Sequence, residues 1–150
     1  MEDQAYNISR VSRYVFKFPS IGKKQLLKQV SFSGMKYNPD VYNLALGTVL
    51  ENGTVNFQDN SNNGDLVKVF STVIKCIKIF TDDFPGKIIF FKGNTVQKTR
   101  VYNEIIRRHY DEFSVYFNIF GVNADGSAYT IDKFDCSKNY SGGFYLKVKI

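Results

Sequence analysis

The hydrophobic pattern of this chain changes period between Ser61 and Asp65, and that change limits the available folds more than any other feature. Before it, apolar and polar residues alternate, as on a strand with one buried face. After it, Leu66, Phe70, Val73, Ile77 and Phe80 recur at three- and four-residue steps. That spacing predicts a helix of about five turns with one apolar stripe, ended by Phe84, Pro85 and Gly86. Strands that give way to a helix, and then to further strands and a second helix, belong to a mixed architecture.

Upstream of the change, residues 14–33 alternate between β-branched or aromatic and polar types, with Pro19, Ser20 and Gly22 interrupting. Two strands joined by a turn are expected, with Leu26, Val30 and Phe32 on one face of the second. After a bend at Asn38 and Pro39, the runs Val41 to Leu50 and Thr54 to Gln58 flank Glu51, Asn52 and Gly53. Asn-Gly between two apolar runs predicts a type I′ hairpin, since both residues tolerate positive φ.

Downstream, Lys87 to Phe91 reads as a short strand buried on both faces, broken by Gly93, Asn94 and Thr95. A second helix is expected from Val96 to Glu112, with Val101, Tyr102, Ile105, Ile106 and Phe113 toward the core. Ser114 to Val122 alternates again, and Asp125 with Gly126 makes a turn. Gly143 to Ile150 sets Phe144, Leu146, Val148 and Ile150 on one face, with Lys147 and Lys149 toward solvent. The expectation is an α+β fold: a mostly antiparallel twisted sheet of six to seven strands with two helices on one face, in the order ββββαβαββ. The central strand–helix–strand crossover should be right-handed.

With 150 residues and no repeat or linker, the chain is expected to form one domain over 1–150, with residues 1–10 loose. Hydrophobic residues at 43% and charged ones at 23% exclude a disordered chain. A net charge of +6 and a pI near 9.2 favour polyanionic partners such as nucleic acid or an acidic protein, although surplus lysine also serves solubility. The 14 Phe fall mostly in core-like patterns, whereas the 10 Tyr suit buried hydrogen bonds or base stacking equally. Cys76 and Cys136 show neither CxxC spacing nor a histidine cluster, so neither zinc nor a disulfide framework is expected. No apolar run approaches the roughly 20 residues that cross a bilayer, and no leader pattern opens the chain. A cytoplasmic protein without a membrane partner is the expectation.

Two segments stand where a polar break runs into a helix start, whose unpaired amides and positive dipole end attract anions. Ser61-Asn62-Asn63-Gly64-Asp65 is small and polar, but such residues are also what any helix start prefers as caps. Lys92-Gly93-Asn94-Thr95, continuing through Lys98, Thr99 and Arg100 to Tyr102, adds three cations, which capping does not require. A solvated basic face is the plain alternative. If both helices start at one end of the sheet, Asn62, Asn63 and Asp65 would face Lys92, Asn94, Thr95, Lys98 and Arg100 across one crevice. His109 has no catalytic partner in sequence and reads as a helix-end histidine, and Asp82 with Asp83 lacks the further carboxylates a metal site needs.

The stretch from Tyr42 to about Phe120 resembles a family of small uncharacterised proteins of Bacteroidota, through YNLALG, SNNGDLVKVFSTV and GNTVQKTRVY. In that family the last motif usually reads Gly-Ser-Thr, two variable residues, Arg-Thr-Arg-Leu-Tyr. Gly93, Thr95, Thr99, Arg100 and Tyr102 fit it, while Asn94, Lys98 and Val101 depart. The order of elements is also similar to that of the N-acetyltransferase superfamily, although the two helices after its first strand and its glycine-rich pyrophosphate loop are missing. Three functions stay open: a basic phosphate-binding module with no cofactor, most simply for RNA, a target that would fit the toxin half of a two-gene pair; an acyl-CoA- or nucleotide-dependent transferase; and a protein-interaction subunit.

Overall fold

The computed structural model describes residues 4–58, 63–125 and 128–149. The fold is mixed α+β, with nine strands, mostly antiparallel, and three helices among the described residues. The chain forms two compact units interleaved in sequence, one from Met1–Gly34 with Asn43–Pro85 and the other from Met35–Tyr42 with Gly86–Ile150.

In the first unit, β1 (Ser9–Arg10), β2 (Val15–Ile21), β3 (Gln25–Met35) and the later residues of β4 (Asn38–Val49) lie side by side. The two-residue β5 (Val55–Asn56) pairs with β4. Alternation decides what is buried: Phe16 and Phe18 of β2 stand opposite Val30 and Lys28 of β3, all on the inner face. Helix α1 (Leu66–Asp83) closes this core, with Phe80 stacked on Phe32 at a centroid distance of 4.2 Å. Pro19 is accommodated within β2 because β1 pairs only with Phe16 and Lys17, so no ladder bond is lost where proline lacks its N–H.

The opening segment, expected to be loose, is anchored by Tyr6. Its backbone N–H donates to Thr72 Oγ1 at 2.8 Å, and its ring stacks on Phe18. The hairpin lies where Asn52-Gly53 placed it, but its geometry differs from type I′. Gly53 N donates to Leu50 O at 2.9 Å and Leu50 N to Thr54 O at 2.8 Å. Glu51 and Asn52 are therefore the central residues, and Gly53, at φ +85°, occupies the left-handed position of a three-residue loop.

The second unit contains β6 (Ile88–Phe91), α2 (Val96–Arg108), α3 (Tyr110–Tyr116), β7 (Phe117–Asp125), β8 (Ala128–Lys133) and β9 (Gly143–Val148). Its strands run in the order β6-β9-β7-β8, each antiparallel to its neighbour. Ile89, Phe91, Phe117, Ile119, Phe144 and Leu146 bury one face of this sheet. Tyr102 of α2 meets Phe91 there, and Phe134 and Tyr140 of the 134–142 loop meet Phe144. That loop is fastened to α2 by two side chains. Asn103 Oδ1 accepts from Tyr140 N at 3.0 Å, while Arg107 donates to Cys136 O at 2.7 Å and to Asn139 Oδ1 at 2.6 Å.

Several expectations change. The strands number nine rather than six to seven: β1 is too short to show a period, and all six residues of β8 are exposed, so burial leaves no alternation to read. The single helix expected over 96–112 is two, divided at His109, whose φ of −110° and ψ of 20° lie off the helical values. Asp111 and Glu112 in the first turn of α3 suit a new helix start, and the helix carries Ser114 and Val115 with it, so β7 begins only at Phe117. Leu66 and Val101, assigned to apolar stripes, are exposed.

The cysteines differ in accessibility. Cys136 is exposed, whereas Cys76 is buried, and burial pushes its thiol up to about 12, with Lys75 pulling weakly the other way. A thiol-specific reagent should therefore modify Cys136 alone in the native protein and both cysteines after unfolding. Rapid native reaction at Cys76 would mean that α1 opens far more readily than its packing implies.

Candidate functional site

The start of α2 is built from its neighbours in sequence. Strand β6 ends at Phe91, and the chain must turn sharply to enter a helix at Val96. Gly93 permits this by close approach: a Cβ there would lie 2.5 Å from Thr99 N and 2.6 Å from Lys98 Cβ. Thr95 is extended (φ −132°, ψ 161°) and caps the helix, its Oγ1 accepting from Lys98 N at 3.1 Å. Thr99, fully inside, donates from Oγ1 to Thr95 O at 3.1 Å and to Gly93 O at 3.4 Å, which locks the turn from beneath.

The cap satisfies one amide of the first turn and leaves those of Val96 and Gln97 without an intrahelical acceptor. The first turn holds no acidic residue. Lys92, Asn94 and Arg100 are exposed, Lys98 is half-buried, and neither the Lys92 nor the Arg100 side chain makes an ion pair or hydrogen bond among the described residues. Cations beside the positive end of a helix dipole repel it mildly, so this arrangement is most stable with an anion present. Glu104, one turn beyond Arg100, is engaged by Arg107 and Arg108 instead. Tyr102 faces inward against Phe91, and burial raises its hydroxyl pKa.

Lys92, Gly93, Asn94, Thr95, Lys98 and Arg100 thus gather around one helix start in the second unit, whereas Tyr102 lies further along α2 and faces the core. Asn63 and Asp65 belong to the first unit, and Asn62 lies outside the described residues. Asn63 is buried and spends its amide on the β2–β3 turn. Its Oδ1 accepts from Lys24 N at 2.7 Å, and its Nδ2 donates to Lys24 O at 2.8 Å and Ser20 Oγ at 3.0 Å. Asp65 stands at the cap position of α1 but makes no cap bond; its Oδ2 accepts from the Tyr6 and Ser20 hydroxyls, both at 2.6 Å.

Sequence reasoning missed a cleft of about 340 Å³ in the second unit, lined by Tyr110, Ser114, Phe117, Asn118, Ile119, Phe120, Lys133 and Lys149. Lys149 was legible as solvent-facing, but Lys133 sits on a strand that gave no periodic signal. Among the described residues no three His, Cys, Asp or Glu side chains are grouped to hold a metal ion. No helix among them is long and apolar enough to cross a membrane.

No curated protein and no solved structure matches the chain. A family match does exist, over residues 2–149, and so extends well beyond the half of the chain that carried the motifs above. With nearly every residue inside that match, the chain belongs to DUF6934, a family of unknown function.

Proposed function

We propose that the second unit binds the phosphates of nucleic acid, RNA in particular, at the start of α2. The observation that carries this reading is the pair Lys92 and Arg100, exposed and without partners among the described residues, beside a capped helix start that has no carboxylate in its first turn. Phosphate meets both the free amides and the cations there, and the net charge of +6 favours a polyanion over a single small anion. The reading entails a cytoplasmic protein that works as a binding module.

Fluorescence anisotropy with single-stranded RNA at several salt concentrations tests it. Affinity should fall steeply as salt rises, and Lys92→Ala with Arg100→Ala should weaken binding and flatten the salt slope by about one for each phosphate no longer neutralised. Both positions are exposed, so the fold should persist. Flat or absent RNA binding, together with a rise in melting temperature on adding acyl-CoA, would replace this reading with a transferase.

A further inference from the structure

We infer that the solvent face of the second unit's sheet is a stacking platform for the bases of single-stranded nucleic acid, an inference that rests on the phosphate-binding reading above. Directly opposed residues of antiparallel strands share a face. Phe90 of β6 is opposite Tyr145 of β9, Tyr145 is opposite Phe120 of β7, and Phe120 is opposite Lys133 of β8. Three aromatic rings and a lysine therefore form one row across four adjacent strands. One step along, Lys147 stands between Ile88 and Asn118 on the same face.

This is the face away from the core. Helix α2 and the 134–142 loop contact Phe91 and Phe144 on the opposite side, whose residues are almost fully buried, whereas Phe90, Phe120 and Tyr145 keep part of their surface in solvent. The outward face of an antiparallel sheet is ordinarily polar, so a register-aligned aromatic row is unexpected unless something flat covers it. Phe90 and Tyr145 lie 4.9 Å apart between centroids, and Tyr145 makes no hydrogen bond through its hydroxyl among the described residues.

Charge selects the occupant. Lys133 and Lys147 have no ion pair among the described residues, and no described position on this face of the four strands carries a carboxylate. A second copy of the chain laid on this face would set like charges against one another. A strand of bases and phosphates matches both the rings and the lysines, which is how aromatic sheet faces hold single strands.

The row also runs into the α2 start. A Cβ on Gly143 would fall 2.9 Å from Phe90 Cζ and 3.0 Å from Lys92 Cβ, so the last ring and the first phosphate-binding lysine flank the same glycine. Bases on the row and a phosphate at Lys92 can belong to one bound strand.

The test uses the full chain and a labelled oligoadenylate, with Tyr145→Leu and Phe120→Leu, which keep apolar bulk but remove the flat ring. Each should weaken binding about fivefold or more while leaving the salt slope unchanged. Duplex RNA of equal length should bind more weakly. Unchanged affinity in both leucine variants, with Lys92→Ala still weakening binding, overturns the platform and leaves the phosphate site standing. Loss of binding to any RNA removes both. Equal affinity for duplex overturns the platform, as does a concentration-dependent dimer that Tyr145→Leu abolishes. If the leucine variants fail to fold, K147E reads the same face: unchanged affinity overturns the platform, and a loss supports it.

Discussion

Replacing Gly22 with alanine should destabilise the protein by roughly 3 kcal/mol or more, which places it among the severe single substitutions. The added Cβ would lie 1.8 Å from the carbonyl oxygen of Asn63 and 2.8 Å from its carbonyl carbon, and both are backbone atoms. That carbonyl accepts from Lys23 N at 2.9 Å, while Gly22 N donates to Lys24 O at 3.1 Å. Neither segment can yield without undoing the turn. The requirement is one of space and not of φ, because the left-handed glycines are Gly53, Gly64, Gly86 and Gly143. Urea unfolding monitored by circular dichroism reads the effect, and a melting temperature lower by roughly 6 to 12 °C would accompany it. A drop within a degree or two would mean that the Asn63 peptide is free to move aside.

Asn103→Leu should cost about 2–4 kcal/mol, although the two side chains have similar volume. Asn103 is 1% exposed and is the acceptor for Tyr140 N. Its Nδ2 donates to Asn139 Oδ1 at 3.2 Å and reaches Lys138 O at 3.4 Å. Leucine would leave the buried Tyr140 N–H unpaired, and an orphaned buried donor costs more than a lost surface bond. Arg107 still holds Cys136 and Asn139, so the expected change is local loosening of the 134–142 loop. Amide exchange at Tyr140 should accelerate well before global unfolding. Asn103→Asp retains an acceptor for Tyr140 N and should fall between the two. Equal stability of all three would show that Arg107 alone secures the loop.

What could be read from sequence was what depends on near neighbours. The period of α1 and the break at Gly93, Asn94 and Thr95 before α2 are local, since the participants lie within a few residues of one another. The hairpin position was likewise visible in Asn52-Gly53, but its type was not, because the loop length is fixed by how β4 and β5 pair. The role of Asn63 was hidden, since its partners Ser20 and Lys24 lie some forty residues earlier in the chain. Asn63 looked like a ligand residue or a cap because both preferences are properties of the residue type. The aromatic row was hidden for a related reason. Phe90, Phe120 and Tyr145 each fit a core strand, and only the register reveals that they share the outer face. The break at His109 was masked by helical spacing that continues through it into α3.

The insertion of β9 between β6 and β7 has a consequence for biosynthesis. Of those three strands β9 leaves the ribosome last, so until it emerges the facing edges of β6 and β7 have no hydrogen-bonding neighbour, and Phe91, Phe117 and Ile119 have no β9 beside them. A nascent chain in that condition exposes sticky, aggregation-prone surface, and chaperones would be expected to hold it. A premature stop codon just before residue 143 would remove an inner strand rather than trim an end.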